Sequence, residues 1–236
     1  AAIMPFSVMG DTLQTLMPGG ILNTGFAVQW AKSVADRASP YAQGWERAQV
    51  DSGDTVCGEN QLLHGQKVDI LQQINENPFY RADIGDPLTP IKFVQKIKVP
   101  IFLASAWQDE QTGPFFASLF DRFTGSKVVR LTVYNGVHVD AFSPGLLVEW
   151  QTFLDLYVAR RVPRVDPQLR SLAPLLLSRV FGAVVDLPPD RFSSYPTYEA
   201  ALAAYEAEPT LRILFEQGAG PSGTAGAPEP SFDRRF

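Results

Sequence analysis

The sequence predicts the α/β class, on two strand-like runs and a helical stretch between them. Residues 99–106 form an apolar run that stops at Trp107, Gln108 and Asp109. Residues 128–134 form a second β-rich run that stops at Asn135, Gly136, Val137 and His138. Between them, residues 115–123 are apolar at helical spacing. Continuous rather than alternating apolar runs mark strands buried on both faces. Strand, helix, strand is the unit of a parallel sheet with covered faces.

Composition fits that class. Of 236 residues 45% are hydrophobic and 19% charged, enough apolar material for a sizeable core. The net charge of −5 and the lack of a basic run argue against nucleic acid and anionic membranes as partners. No apolar run approaches the ~20 residues of a membrane span; the richest patch, residues 172–177, is too short. A single cysteine excludes an internal disulfide framework. The opening Ala1, Ala2, Ile3, Met4, Pro5 reads as the interior of a longer chain rather than a natural start.

Along the chain, residues 1–8 are short and apolar, a candidate buried strand, before Gly10 and the Pro18-Gly19-Gly20 break. Residues 25–38 repeat Phe26, Trp30, Ala31, Val34 and Ala35 near a 3.6 period, which predicts a helix. Residues 60–75, with Leu62, Leu63, Val68, Ile70, Leu71 and Ile74, predict another, with Gly65 its weak point. Residues 20–90 thus read as a mainly helical insertion. Residues 91–97 are amphipathic. Residues 146–161 predict a strong amphipathic helix, with Arg160 and Arg161 suited to its C-terminal end. Residues 162–195 read as Pro-punctuated and irregular, 198–207 as a short helix and 211–215 as β-like. From Gly218 onward Gly, Pro, Ser and Ala dominate, a loop or linker without a core of its own.

His138 is the strongest candidate for chemistry. It follows a strand and a glycine, and active sites of open α/β folds gather at the C-terminal edge of the sheet. Its ordinary pKa near ~6.5 suits taking and returning a proton at neutral pH. Asp109, off the preceding strand, is the acid that would hold the imidazole tautomer. An acid after one strand and a histidine after the next is the order in which an α/β-hydrolase supplies the last two members of a Ser-Asp-His triad. The plain alternatives are a loop histidine in a structural hydrogen bond and, for Asp109, the N-cap of the segment starting near Gly113. Glu110 is the rival acid. The nucleophile is argued by absence, since no Gly-x-Ser-x-Gly occurs. Ser7 lacks flanking glycines, Ser105 lies inside a predicted buried strand, and Cys57 sits in the helical insertion. His64 reads as surface or packing. Asp51, Asp54 and Glu59 fit no metal-binding spacing and read as solvated charge. Trp30, Trp45 and Trp107 are candidate pocket walls, and Trp150 a core residue.

These residues resemble the cocaine-esterase and X-Pro dipeptidyl-peptidase-like α/β-hydrolases, the CocE/NonD hydrolases, over nearly the whole chain. Ile97-Lys98-Val99-Pro100 and the run after it resemble the family's I-x-V-P strand. Trp107-Gln108-Asp109 is similar to its W-x-D motif, and Gly136-Val137-His138 falls where the family has its histidine, 29 positions after Asp109. Asn77-Pro78-Phe79-Tyr80 resembles a cap segment, and 211–215 with the tail looks like the entry to a C-terminal jelly-roll.

The resemblance implies the C-terminal half of an α/β-hydrolase sheet (1–19 and 91–165), a helical cap (20–90), a connecting segment (166–210) and the start of a β-sandwich (211–236). It implies a serine hydrolase of ester or amide bonds, with Asp109 and His138 catalytic. Trp107, Gln108 and Trp30 would bind a small-molecule substrate, with no cofactor and no metal. The nucleophile and oxyanion-hole donors would lie in an upstream segment of a longer parent, so this chain alone should not turn over substrate. Only Glu110 follows the aspartate as an acid, which does not favour an α-amino ester.

Two rivals stay open. One is a non-catalytic chain that works by association with the remaining segments of its parent or as a homo-oligomer, because a sheet cut beside its nucleophile strand exposes an edge. The other is a cysteine hydrolase using Cys57.

Overall fold

The computed structural model describes residues 1–63, 69–217 and 230–234. The chain divides into two compact units, Ala1–Asp11 with Thr89–Phe236, and Thr12–Leu88. In chain order the helices are α1 (Thr12–Leu16), α2 (Phe26–Arg37), α3 (Trp45–Asp51), α4 (Thr55–Gln61), α5 (Ile70–Glu76), α6 (Ala82–Gly85), α7 (Pro144–Leu154), α8 (Pro167–Phe181) and α9 (Tyr198–Glu206). The strands are β1 (Ile101–Ala106), β2 (Val129–Asn135), β3 (Leu211–Gln217) and β4 (Pro230–Arg234). The first six helices make up the 12–88 unit, and all four strands lie in the other. The protein is α/β.

β1, β2 and β3 pair in parallel and β4 closes the edge antiparallel, in the order β1-β2-β3-β4. The N-terminal segment flanks β1 through parallel bridges from Ile3 to Ile101 and from Phe6 to Ala104. The period of two in a strand sorts the side chains into two cores. Phe102, Ala104, Ala106 and Tyr134 face Leu146 and Phe153 of α7, with Leu156, Ala201 and Tyr205. Ile101, Leu103, Leu131, Val133 and Leu211 face Val94, Phe116, Leu119 and Phe123. Every residue of β1 is buried, which is why its sequence is apolar on both faces save for Ser105.

Several elements depart from the sequence expectation. Residues 1–8 make only the two bridges to β1, not a strand. The stretch expected as one helix over 60–75 is broken. α4 ends at Gln61, and α5 starts afresh where the Asp69 carboxylate accepts the Gln72 N–H at 2.9 Å. The crossover between β1 and β2 carries a 3₁₀ segment, Pro114–Leu119, in place of an α-helix. α7 gives way at Asp155–Ala159 to a π-helical turn.

The irregular 162–195 holds the longest helix among the described residues, α8. Its signals are an N-cap Asp166 accepting from Gln168 and Leu169, Pro167 in the first turn, and Gly182 in the left-handed region after the end. The internal Pro174 masked them. The run at 211 does not open a β-sandwich among the described residues. It adds to the parallel sheet beside β2, with Leu211 buried and Ile213 packed against the same core face. A β-like run announces a strand but not its partner. The tail 218–229 lies outside the described residues.

Phe153 is fully buried, 5.7 Å from the Phe102 ring and 4.9 Å from Tyr157. Phe153→Ala is expected to lower stability by about 3–5 kcal/mol in urea denaturation. Val158→Ala, at a position 53% exposed, is expected to stay within about 0.5 kcal/mol of the parent.

Candidate active site

The parallel register ends β1 and β2 level, with Ala106 opposite Tyr134. Past those ends the chains stay tied: Trp107 N–H donates to Tyr134 O at 3.0 Å and Gln108 N–H to Gly136 O at 3.2 Å. The next residue of the first loop is Asp109. Its carboxylate is fully buried, and Oδ1 accepts the N–H groups of Gln111 (2.9 Å) and Thr112 (2.8 Å). Asp109 is therefore an acceptor for its own turn and not the N-cap of the following segment, which Gly113 opens without a side-chain cap, but it does more. His138 Nδ1 lies 2.9 Å from Oδ2 and 3.1 Å from Oδ1.

An imidazole facing a carboxylate with Nδ1 carries its proton there, which leaves the Nε2 lone pair free. The His138 side chain is 36% exposed, whereas the carboxylate it pairs with is buried. Burial pushes the Asp109 carboxyl up. The Thr112 and Gln111 amides, the imidazole and the Ser7 hydroxyl outweigh it, and the net direction is below the ordinary carboxylate value.

Two more acids set the position of the loop. Glu110 Oε2 accepts the His138 N–H at 3.0 Å. Burial raises the Glu110 carboxyl, but that amide and its other hydrogen bonds leave it lowered. The rival acid thus grips the histidine's backbone and not its ring. Asp140 Oδ2 accepts the Val137 N–H at 2.8 Å. This fold-back requires a glycine at 136, where a Cβ would stand 2.5 Å from Asp140 Oδ2. Sequence reading missed Asp140, although an acid two residues past a strand-end histidine was a legible sign of a loop closed on itself.

The other candidates fall as follows. Trp107 is 42% exposed and packs on Phe116 at 5.4 Å, and Gln108 beside it is exposed. Trp30 belongs to the 12–88 unit, on α2, and is 53% exposed. Trp45, on α3, is 57% exposed, and Trp150 packs on Phe6 at 5.5 Å. Ser105 is buried within β1. Ser7 follows the N-terminal bridges with a left-handed φ of 46°, and its hydroxyl is buried. Cys57 lies on α4 in the 12–88 unit, its sulfur 3.9 Å from both Glu46 O and Gln61 Nε2. His64 lies outside the described residues. Among the described residues no group of three or more His, Cys, Asp or Glu side chains is placed to hold a metal ion, and no helix is long and apolar enough to cross a membrane.

Residues 1–140 match the family model described as X-Pro dipeptidyl-peptidase (S15 family). The match ends two residues past His138 and so takes in every side chain of the site. No curated protein and no solved structure matches the chain.

Asp109 has a folded pKa below its ordinary value of 3.8, so its contribution to stability is present above that value. It is lost as pH falls through the depressed folded pKa. Urea denaturation from pH 7 down to pH 3 should therefore show the stability gap between the parent and Asp109→Asn narrowing in that acid window. A gap that does not change with pH would contradict it. Gly136→Ala should displace Asp140 and cost about 1–3 kcal/mol, with the Val137 amide losing its hydrogen-exchange protection.

Proposed function

Because the chain belongs to the X-Pro dipeptidyl-peptidase (S15) family, a serine hydrolase family, we propose that it supplies the acid–base half of a Ser-His-Asp acyl-transfer site. The observation that carries the reading is the pairing of His138 Nδ1 with the buried Asp109 carboxylate. A serine from a segment outside these 236 residues attacks the acyl carbonyl. His138 Nε2 takes the serine proton as that bond forms, then returns it to the leaving alcohol or amine as the acyl bond breaks. Asp109 holds the tautomer and stabilises the imidazolium between those transfers. Water, activated through the same nitrogen, then releases the acid. Backbone N–H groups of the serine's own segment would hold the oxyanion, usually the largest single contribution.

The substrate class is an ester or amide of a small molecule. The W-x-D and Gly-x-His segments that resemble cocaine-esterase-like hydrolases support it, and Trp107 and Gln108 are the proposed wall of the acyl pocket. Neither a cofactor nor a metal enters the scheme.

The test is fluorophosphonate labelling of the source protein, read by denaturing intact mass and followed by assay of His138→Ala. The expected result is one adduct on a species well above 26.0 kDa. His138→Ala should then cut turnover by about 10⁴ or more with its unfolding midpoint unchanged. A species near 26.0 kDa without an adduct, or a variant with full activity, overturns the reading; the unlabelled outcome leaves a chain that acts by association.

A further inference from the structure

Beside the acid–base pair lies a corner of buried polar atoms that the scheme above does not use. Ser7 Oγ, Tyr134 Oη and Asp140 Oδ1 are all buried, and none is closed by a hydrogen bond. Tyr134 is 3% exposed and Asp140 4%. A buried polar group without a partner is costly, so three such atoms call for a reason.

Their placement supplies one. Ser7 N–H donates to Ala104 O at 3.1 Å, directly after the Phe6 bridge, on one side of β1. Tyr134 stands opposite Ala106 on the other side, its ring in the same core as Ala104 and Ala106. Both flank the strand whose end delivers Asp109. Ser7 is also held at φ 46°, a conformation that strains a residue with a Cβ and that clusters at functional positions. The electrostatics agree. Burial raises both Asp109 and Tyr134, and the Ser7 hydroxyl lowers both, so it faces the two at once. Tyr134 ends well above its ordinary value, with Asp109 and Asp140 adding to the burial effect, and stays a protonated donor.

We propose that Ser7 is a positioning residue for the acid: its hydroxyl donates to Asp109 Oδ2, and Tyr134 Oη donates to Ser7 Oγ. Oδ1 already takes two amides, whereas Oδ2 takes only the imidazole. A second donor on Oδ2 fixes the carboxylate plane against which His138 turns and tempers its basicity. The proposal rests on Asp109 being the acid of the pair. The titratable groups facing that carboxylate are His138 from the loop after β2, Glu110 from its own turn, and Tyr134, with Asp140 behind the phenol.

The test is a ¹³C-carboxyl NMR titration of Asp109 in this chain, which needs no turnover. Ser7→Gly removes the hydroxyl and relieves the left-handed strain, whereas Ser7→Ala removes the hydroxyl and keeps the Cβ. Both should move the Asp109 midpoint up by about one pH unit, the worth of one hydrogen bond to a charged group. Tyr134→Phe should move it less, in the same direction. An unchanged midpoint in both Ser7 variants overturns the proposal, and so does a shift in Ser7→Gly alone, which reports the relief of strain and not the hydroxyl. Full activity in His138→Ala would sink the acid–base reading without touching this titration, so the two fail separately.

Discussion

Parallel pairing of β1 with β2 puts Ala106 opposite Tyr134, and from that register the chemistry at the sheet edge follows. Two strands that point the same way and end level release their loops side by side. Asp109 leaves one and His138 the other, and the backbone bonds from Trp107 and Gln108 keep the two loops in step. An antiparallel pair would send those ends to opposite edges. The apolar alternation that builds the two cores therefore also sets the meeting of carboxylate and imidazole. A one-residue slip would turn Tyr134 from one core to the other.

A carboxylate with no exposed surface is costly unless its oxygens are occupied. At Asp109 two amides and an imidazole occupy them. Asp155, 1% exposed, is a useful contrast. It is satisfied by Arg161 Nε at 2.8 Å, by Gln151 and by the Arg164 N–H, partners that lock the end of α7 and offer no exchangeable proton acceptor to solvent. Burial is alike in the two acids. The difference is that one partner of Asp109 is a part-exposed ring with a second nitrogen. Around it, Glu110 and Asp140 work on the backbone and not the ring, so three neighbouring acids have three distinct tasks.

β1, β2 and the residues just past them were legible in the sequence, whereas β4, inside a tail read as loop or linker, was not. A strand buried on both faces needs apolar residues without alternation, and Ile101–Ala106 has them at every position but Ser105. α2 was legible from its 3.6 period, and its described bounds, Phe26–Arg37, lie close to those read. α8 was not, because its cap signals around Asp166, Pro167 and Gly182 were read as loop punctuation once Pro174 broke the pattern. The break before α5 was hidden for the opposite reason: apolar spacing ran through Asp69, whose capping role depends on the backbone turning there.

By itself the sequence determined that the chain is α/β, that an acid and a histidine stand just past consecutive buried strands, and that Gly-x-Ser-x-Gly is absent. Those are matters of local pattern, written in side-chain polarity and spacing. Only the tertiary structure decided that Asp109 and not Glu110 meets the imidazole, that Leu211–Gln217 joins the parallel sheet, and that Ser7 and Tyr134 flank the strand that delivers Asp109. Each depends on which strand lies beside which and on how far a loop folds back, and hydrogen-bond distances between residues far apart in the chain are not encoded in the spacing of either one.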